Sequence, residues 1–291
     1  MTELHGVITA MVTPFEEDGA VDLPACRRLA RHLLEHGSHG LVLTGTTGES
    51  PTLSDDEKLA ILREVRAELG EEATLIAGTG SNDTRHSIEL TKRAEAEGAD
   101  AALVVTPYYN RPNPAGVTAH FEAVAAATKL PIVIYNIPSR CVVNIPPAQL
   151  ADLAREIPNV VAVKQANDDE LGPIEGMDLL AGNDNVFQRC LESEGSGGIL
   201  VASHLVGERM REQYEAVLSG DQEAARRIDA ELQLLYADLA VTSNPIPVKT
   251  ALEILGICSA TMRLPMVPAS DSERATLKAA LERHSISARV V

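Results

Sequence analysis

Eight short apolar segments, rich in Val, Ile and Leu, constrain the fold of this chain more than any other feature of its sequence. They begin at Gly6, Gly40, Thr74, Ala101, Pro131, Val160, Asp178 and Gly198. Because these segments are apolar throughout, each is predicted to be a strand buried on both faces of a parallel sheet. Most are separated by stretches of helical periodicity. Eight strands alternating with helices favour a closed (β/α)8 TIM barrel, although a doubly wound open sheet shares this periodicity.

The helical stretches carry recognisable start and stop signals. In the clearest one, residues 54–69, Ser54 and Glu57 form a capping box, and Gly70 ends the helix. After about Leu205 the strand pattern stops and only helices are predicted, over residues 208–218, 222–239, 248–255 and 273–283. We therefore predict a catalytic barrel over residues 1–221 and a C-terminal helical domain, an appendage to the barrel, over residues 222–291.

Composition excludes several classes of partner. The chain has 291 residues, 45% of them hydrophobic, and a formal net charge of −17, which disfavours nucleic acid and anionic lipid. The N-terminal residues lack the pattern of a signal peptide, and no apolar stretch is long enough to predict a membrane span. The four cysteines are scattered, without a CxxC pair, so a reducing cytoplasm is expected.

Lys164 is the strongest candidate for chemistry. It is the only one of six lysines that ends an all-aliphatic strand, residues 160–163. In a barrel, catalytic groups lie at the C-terminal ends of the strands. Burial there lowers the pKa of an amine, and the neutral amine can attack a carbonyl to form a Schiff base. Taken alone, the same lysine is also explained by a side chain that extends to solvent.

The ends of other strands carry further polar groups. Tyr108 and Tyr109 follow strand four and Tyr135 ends strand five, where a phenol can transfer protons, although packing is the commoner role of a tyrosine. The motif GTTGES, residues 45–50, has the glycines and hydroxyls of a small carboxylate site but lacks the Lys of a nucleotide-binding loop. Arg140 is a candidate for bidentate binding of a second carboxylate.

A zinc site is the competing interpretation of one motif. His32 and His36, within His-Leu-Leu-Glu-His, match a pattern found in some zinc proteases. No third ligand is evident, and the motif falls on a helix predicted to face solvent outside the barrel. We therefore predict no metal site.

Four motifs, in this order and at these separations, resemble the dihydrodipicolinate synthase / N-acetylneuraminate lyase family of class I aldolases. They are GTTGES at 45–50, TPYYNRP at 106–112, YNIPSR at 135–140 and VVAVK at 160–164. The likeness runs from Gly6 to about Pro265. It implies a lyase that uses a Schiff base as its electron sink and needs no metal or organic cofactor. Within the family, Arg140 favours condensation of pyruvate with L-aspartate 4-semialdehyde, in lysine and diaminopimelate biosynthesis, because that aldehyde carries a carboxylate.

The resemblance also implies roles for individual residues. Lys164 would form the Schiff base, Tyr135 would be the general acid and base, and Thr46 would pass protons between Tyr135 and Tyr109. In this family the residue matching Tyr109 reaches in from a neighbouring subunit, which implies a homotetramer built as a dimer of dimers. Substrate would be bound by four further residues: Thr47, Arg140, Ile199 and Gly182.

Three positions depart from the family pattern. Cys141 and His204 replace residues that are common there, and neither is expected to touch the chemistry. His86 stands where members inhibited by lysine carry an acidic residue, so weak or absent inhibition by lysine is predicted.

Two alternatives use the same barrel. Another pyruvate-dependent aldolase, of the N-acetylneuraminate or 2-keto-3-deoxygluconate lyase type, would also form a Schiff base on Lys164. A non-catalytic paralogue would bind or regulate without chemistry, but Lys164, Tyr135, Thr46 and Tyr109 are all present, which argues against it.

Overall fold

Eight parallel strands close on themselves in chain order, with β8 hydrogen-bonded to β1. The computed structural model describes residues 4–71 and 73–287. The strands are β1 Gly6–Ala10, β2 Gly40–Leu43, β3 Thr74–Gly78, β4 Ala101–Val105, β5 Ile132–Asn136, β6 Val160–Gln165, β7 Asp178–Ala181 and β8 Gly197–Leu200. All eight predicted strands are present, and the closed (β/α)8 barrel is confirmed.

Among the described residues, eleven α-helices surround or follow the barrel. They are α1 Leu23–Glu35, α2 Asp55–Leu69, α3 Thr84–Ala96, α4 Pro114–Ala125, α5 Pro138–Cys141, α6 Pro147–Glu156, α7 Phe187–Glu192, α8 Ser203–Leu218, α9 Gln222–Asp238, α10 Ile246–Ile254 and α11 Asp271–Arg283. The capping box predicted for α2 is formed: the Ser54 hydroxyl accepts from the Glu57 amide, and the Glu57 carboxylate accepts from the Ser54 amide.

Helix α8 differs from its prediction. It begins at Ser203 and not at residue 208, and Val206 has a non-helical backbone conformation within it. The next residue, Gly207, packs so closely on the carbonyl of His36 that a side chain would collide with it. The interruption therefore lies where α8 meets the end of α1, a contact that sequence periodicity does not report.

The hydrophobic core has two layers. The outer layer lies between the strands and the helices, and the inner layer fills the barrel itself. The inner layer contains one or two side chains from each strand: Ile8, Ala10, Val42, Ile76, Leu103, Val133, Tyr135, Ala162, Leu180 and Ile199. Because aliphatic side chains fill the barrel, a polar group at a strand end loses much of its contact with water.

The C-terminal helices pack on the barrel's last helix and on each other. Helix α9 lies against α8, α10 contacts both α8 and α11, and α11 also contacts α9. The C-terminal helical segment that was expected is present, and its division from the barrel at residue 221 stays a prediction. Across the described ranges, no helix combines the length and apolarity that a membrane crossing requires.

Candidate active site

Strand pairing places Lys164 next to Tyr135. The two residues are partners in the β5–β6 register, and the Lys164 Nζ lies 4.2 Å from the centre of the Tyr135 ring. Lys164 is only 4% exposed. Burial lowers its pKa to about 8; the charge of Asp184 opposes this shift and that of Arg140 adds to it. An amine with this pKa has a neutral fraction near physiological pH far larger than that of an ordinary lysine, and the neutral form is the one that attacks carbonyls.

Tyr135 is equally buried. Burial raises the pKa of its hydroxyl to about 12, while the charge of Arg140 and a hydrogen bond with Thr46 oppose the shift. The phenol therefore keeps its proton at neutral pH and can donate it to a group bound beside Lys164. The structure thus brings together three of the four residues predicted to be catalytic: Lys164, Tyr135 and Thr46.

The loop of residues 45–50, between β2 and α2, has a constrained backbone. Thr44 and Glu49, on either side of Thr46, both adopt the left-handed conformation, with φ of 54° and 56°. The amides of Glu49 and Ser50 donate to carbonyls within the loop. These two amides are therefore not available to a carboxylate, and we expect Thr47 and its neighbouring amides to bind one. The Thr47 hydroxyl accepts a hydrogen bond of 3.0 Å from the Asn244 side chain.

A cavity of about 590 Å³ opens at the C-terminal ends of β2–β5. Its lining includes Thr46, Tyr108, Tyr109, Tyr135 and Arg140. Lys164 does not line this open part, because its side chain lies deeper, against the Tyr135 ring. Residues from distant parts of the chain thus meet where parallel strands end.

Arg140 and Tyr109 lie at the rim of this cavity. Arg140 belongs to the short helix α5, and its guanidinium donates to the Asn244 carbonyl at 3.4 Å. The Tyr109 side chain is 91% exposed and its backbone is left-handed. Within one subunit, an aromatic ring this exposed is not packed against Thr46 or Tyr135.

Two of the residues predicted to bind substrate are placed by packing. Ile199 is fully buried in β8, paired with Ile8 of β1. Gly182 follows β7 and donates its amide hydrogen to the Gln165 carbonyl at 2.8 Å. A Cβ at position 182 would lie 2.7 Å from that oxygen, so glycine is required there by packing. Contact of Ile199 and Gly182 with substrate stays a prediction.

Two residues near Lys164 and Thr47 were missed from the sequence. Asp184 accepts hydrogen bonds from the amides of Val201 and Ala202, and its charge favours the protonated form of Lys164. Asn244 bonds to both Thr47 and Arg140. Nothing in the sequence shows which side chains of the C-terminal segment reach the barrel mouth.

The expectation for His32 was wrong in one respect. Helix α1 does not expose it: His32 is only 5% exposed, and its ring lies 4.1 Å from that of His36. The His36 Nδ1 is 2.7 Å from the His32 carbonyl, to which it donates. No group of three or more His, Cys, Asp or Glu side chains suited to a metal ion occurs in the described part of the chain.

A side arm of the cavity contains His86, Asp55 and Lys58. The His86 Nε2 lies 2.9 Å from both carboxylate oxygens of Asp55, and the Lys58 Nζ lies 3.7 Å from one of them. Burial lowers the pKa of Lys58, and the Asp55 carboxylate opposes this. The one carboxylate among these three side chains is therefore already paired with two basic groups.

Comparison with known proteins agrees with this geometry. The model of the dihydrodipicolinate synthetase family matches residues 3–284. A 4-hydroxy-tetrahydrodipicolinate synthase of Moorella thermoacetica is 46% identical over 95% of this chain and 97% of its own, and one from Desulforamulus reducens is 44% identical over 94% of each. The crystal structure of dihydrodipicolinate synthase from Aquifex aeolicus, 36% identical, superposes with a TM-score of 0.95 over 99% of this chain and 100% of its own.

Proposed function

The chain belongs to the dihydrodipicolinate synthetase family, and on that premise we propose that Lys164 is the amine on which it condenses pyruvate with L-aspartate 4-semialdehyde. The enzyme is a lyase of lysine and diaminopimelate biosynthesis, as are its relatives of 41–46% identity. The observation that carries the assignment of Lys164 is its burial beside Tyr135, which lowers the pKa of its amine to about 8 and so gives it a reactive neutral fraction near neutral pH.

The first stage is formation of a Schiff base. The neutral Lys164 Nζ attacks the keto carbon of pyruvate, and the keto oxygen leaves as water after accepting protons. Tyr135 is close enough to the amine to supply and recover these protons. Thr46, hydrogen-bonded to Tyr135, connects it to the cavity.

The second stage forms the new carbon–carbon bond. Tyr135, having given its proton to the departing water, takes a methyl proton and so converts the imine to an enamine. The enamine carbon attacks the aldehyde carbon of the semialdehyde, and the aldehyde oxygen takes the proton from Tyr135 to become a hydroxyl group. The amino group of the semialdehyde then attacks the imine carbon, which closes the ring and releases Lys164 as the free amine. The protonated imine accepts the electron pair in the enamine step, so the amine itself supplies the electron sink.

Substrate carboxylates need local positive groups, because the net charge of −17 repels anions at long range. We assign the pyruvate carboxylate to Thr47 and its neighbouring amides, with the Ile199 carbonyl and Gly182 completing the pocket. The semialdehyde carboxylate is assigned to Arg140, which lines the same cavity as Tyr135. Asn244 contacts both binding residues: its side chain donates to Thr47, and its carbonyl accepts from Arg140.

A second copy of the chain would complete the site. Tyr109 is almost fully exposed at the cavity rim, and Val142, also on the rim, is 63% exposed. These exposures support the proposal that Tyr109 enters the site of a neighbouring subunit in a homotetramer. We also propose that the enzyme acts in the cytoplasm, where pyruvate is available.

Covalent trapping tests the assignment of Lys164. Incubation with pyruvate and borohydride, followed by peptide mass spectrometry, should place the adduct on Lys164, and Lys164→Ala should abolish trapping. Lys58 provides an internal control, because it is a second buried amine and lines the open cavity. An adduct on any other lysine contradicts the proposal.

Turnover separates the synthase from the sugar-acid lyases. Arg140→Ala should greatly reduce condensation with the semialdehyde. Pyruvate trapping should stay intact at a pH well above the Lys164 midpoint, because Arg140 affects imine formation only through the Lys164 pKa. Equal turnover of N-acetylneuraminate or 2-keto-3-deoxygluconate by the native enzyme would contradict the assignment of the aldehyde substrate.

A further inference from the structure

We infer that the buried ion pair between Lys249 and Glu49 holds the loop of residues 45–50 in its active conformation, which makes the C-terminal helical segment part of the catalytic apparatus. The inference rests on the proposed function, in which Thr46 transfers protons and Thr47 binds the pyruvate carboxylate. Lys249 lies near the start of α10. The structure shows it to be one of the most buried side chains of the described chain.

The pair is completely enclosed. The Lys249 Nζ lies 2.7 Å from the Glu49 Oε1, and the two side chains are 0% and 2% exposed. The remaining donors of the ammonium go to the carbonyls of Thr13 at 2.9 Å and Thr261 at 2.6 Å. An ammonium has three N–H groups, so its hydrogen-bonding capacity is filled. Charges are buried in this way when paired and hydrogen-bonded, and removing one partner leaves the other uncompensated.

Glu49 fixes the backbone of the loop from its far end. Its own backbone is left-handed, its amide donates to the Thr46 carbonyl at 3.1 Å, and its carbonyl accepts from the Thr52 hydroxyl at 3.0 Å. A left-handed conformation is unfavourable for a residue with a side chain and persists only when its surroundings require it. Lys249 supplies such a requirement, because it holds the Glu49 carboxylate in one place.

Contacts from the C-terminal segment reach the loop at several points. The Glu49 Oε2 accepts from the Arg263 amide at 3.2 Å, and the Thr47 hydroxyl accepts from the Asn244 side chain. Thr13 bonds to Lys249 through its carbonyl and to the Gly48 carbonyl through its hydroxyl, at 2.7 Å. The residues on either side of Thr47 are thus tied to the segment that carries Lys249.

A neutral double variant, Glu49→Gln/Lys249→Met, tests the inference without leaving a buried charge unpaired. Freed from the ion pair, the loop should bind the pyruvate carboxylate less well, so the KM for pyruvate should rise about tenfold with a smaller change in kcat. The pyruvate concentration that gives half-maximal borohydride trapping should rise in parallel. A merely structural role would instead reduce the folded fraction, which lowers the apparent kcat and leaves the KM unchanged.

The control replaces another ion pair of the same helix. Glu253 of α10 pairs with Arg274 of α11, and Glu253→Gln/Arg274→Met should leave the pyruvate KM at the native value. A second test variant, Glu49→Asp, keeps the charge but shortens the reach. Glu49→Asp should raise the pyruvate KM as well. It tests whether the ion pair positions the loop even if the double variant does not fold.

Different results would overturn the proposed function and the inference about Lys249 and Glu49. If the native enzyme does not trap pyruvate on Lys164, the proposed function is wrong. Suppose instead that the native enzyme does trap pyruvate on Lys164. If Glu49→Asp, and the double variant Glu49→Gln/Lys249→Met where it folds, then reach half-maximal trapping at the native pyruvate concentration, the inference about Lys249 and Glu49 is overturned while the proposed function stands.

Discussion

At the scale of single residues, the reactivity of Lys164 follows from what its neighbours do to its charge. Burial disfavours the ammonium, and the two nearby charged groups act in opposite directions: Asp184 favours the protonated form and Arg140 disfavours it. At pH 8 about half of the amine is neutral, against roughly 0.3% for a lysine of ordinary pKa. The rate of imine formation should reflect this balance.

The pH dependence of imine formation is therefore predictable. Because the neutral amine is the reactive form, the initial rate with pyruvate should rise with pH through a midpoint of about 8. Asp184→Asn removes a charge that stabilises the ammonium, so the midpoint should move down. Arg140→Ala removes a charge that destabilises it, so the midpoint should move up. Rapid-quench trapping measures the rate, and shifts of both variants in the same direction would contradict this account.

At the scale of elements, close contacts between strand ends limit which residues can occupy them. Gly182 lies where the end of β7 meets the end of β6, with its amide bonded to Gln165. Gly80 lies in a similar contact beside Val105 of β4. Such positions shape the barrel mouth by excluding side chains from it.

Gly182→Ala should destabilise the protein. The new methyl group would press on the Gln165 carbonyl and on the Ala166 methyl group, each 2.7 Å away, and overpacking of this kind costs about 1–3 kcal/mol. The free energy of unfolding in urea measures the effect. Gly172→Ala is the matched control, because nothing lies within 4 Å of the position its Cβ would take. An equal stability of both variants would contradict the packing argument.

The junction of α2 and α3 bears on regulation. His86 of α3 is hydrogen-bonded to Asp55 of α2, and Lys58 lies next to the same carboxylate. A lysine ammonium entering this arm of the cavity would find its acidic partner already engaged. The structure therefore supports the prediction, made from His86 alone, that lysine inhibits weakly or not at all.

An inhibition curve tests this prediction. Activity should be nearly unchanged at lysine concentrations up to about 1 mM, since Asp55 is already paired and repulsion from Lys58 offsets any gain from its carboxylate. Strong inhibition below that concentration would show that the arm still accepts the ligand.

The elements also show what the sequence could and could not predict. The strands were predictable because each is a local run of apolar residues, and Lys164 was found because it interrupts one of them. A closed barrel was predicted from eight strands alternating with helices, but periodicity alone could not distinguish it from an open sheet, since closure depends on the pairing of β8 with β1. Lys249 was missed for a similar reason: its partner Glu49 lies far away in the chain, and a lysine near prolines at a helix start gives no local sign of burial.

At the scale of the whole molecule, the exposed Tyr109 makes one subunit an incomplete catalyst in our proposal. Its ring lies at the rim of the cavity, away from the Tyr135 and Thr46 of its own chain. A site assembled from two chains can be tested by mixing subunits that are defective in different parts.

Mixing Lys164→Ala with Tyr109→Phe subunits should restore activity. In a hybrid pair, the Tyr109→Phe subunit supplies Lys164 and receives an intact Tyr109 from its partner, so one of its two sites is complete. After partial unfolding and reassembly of the mixture, turnover should rise well above that of either variant treated alone. Absence of any recovery, with hybrids detected by native mass spectrometry, would place Tyr109 in its own subunit's site or outside catalysis.

The exposure of Tyr109 also implies that turnover per chain depends on protein concentration. If a second subunit completes the proton pathway, only associated subunits are active, and the active fraction depends on the association equilibrium. Turnover per chain would then be constant in concentrated solution. It would fall on dilution, because the subunits dissociate and each cavity loses the Tyr109 hydroxyl of its neighbour.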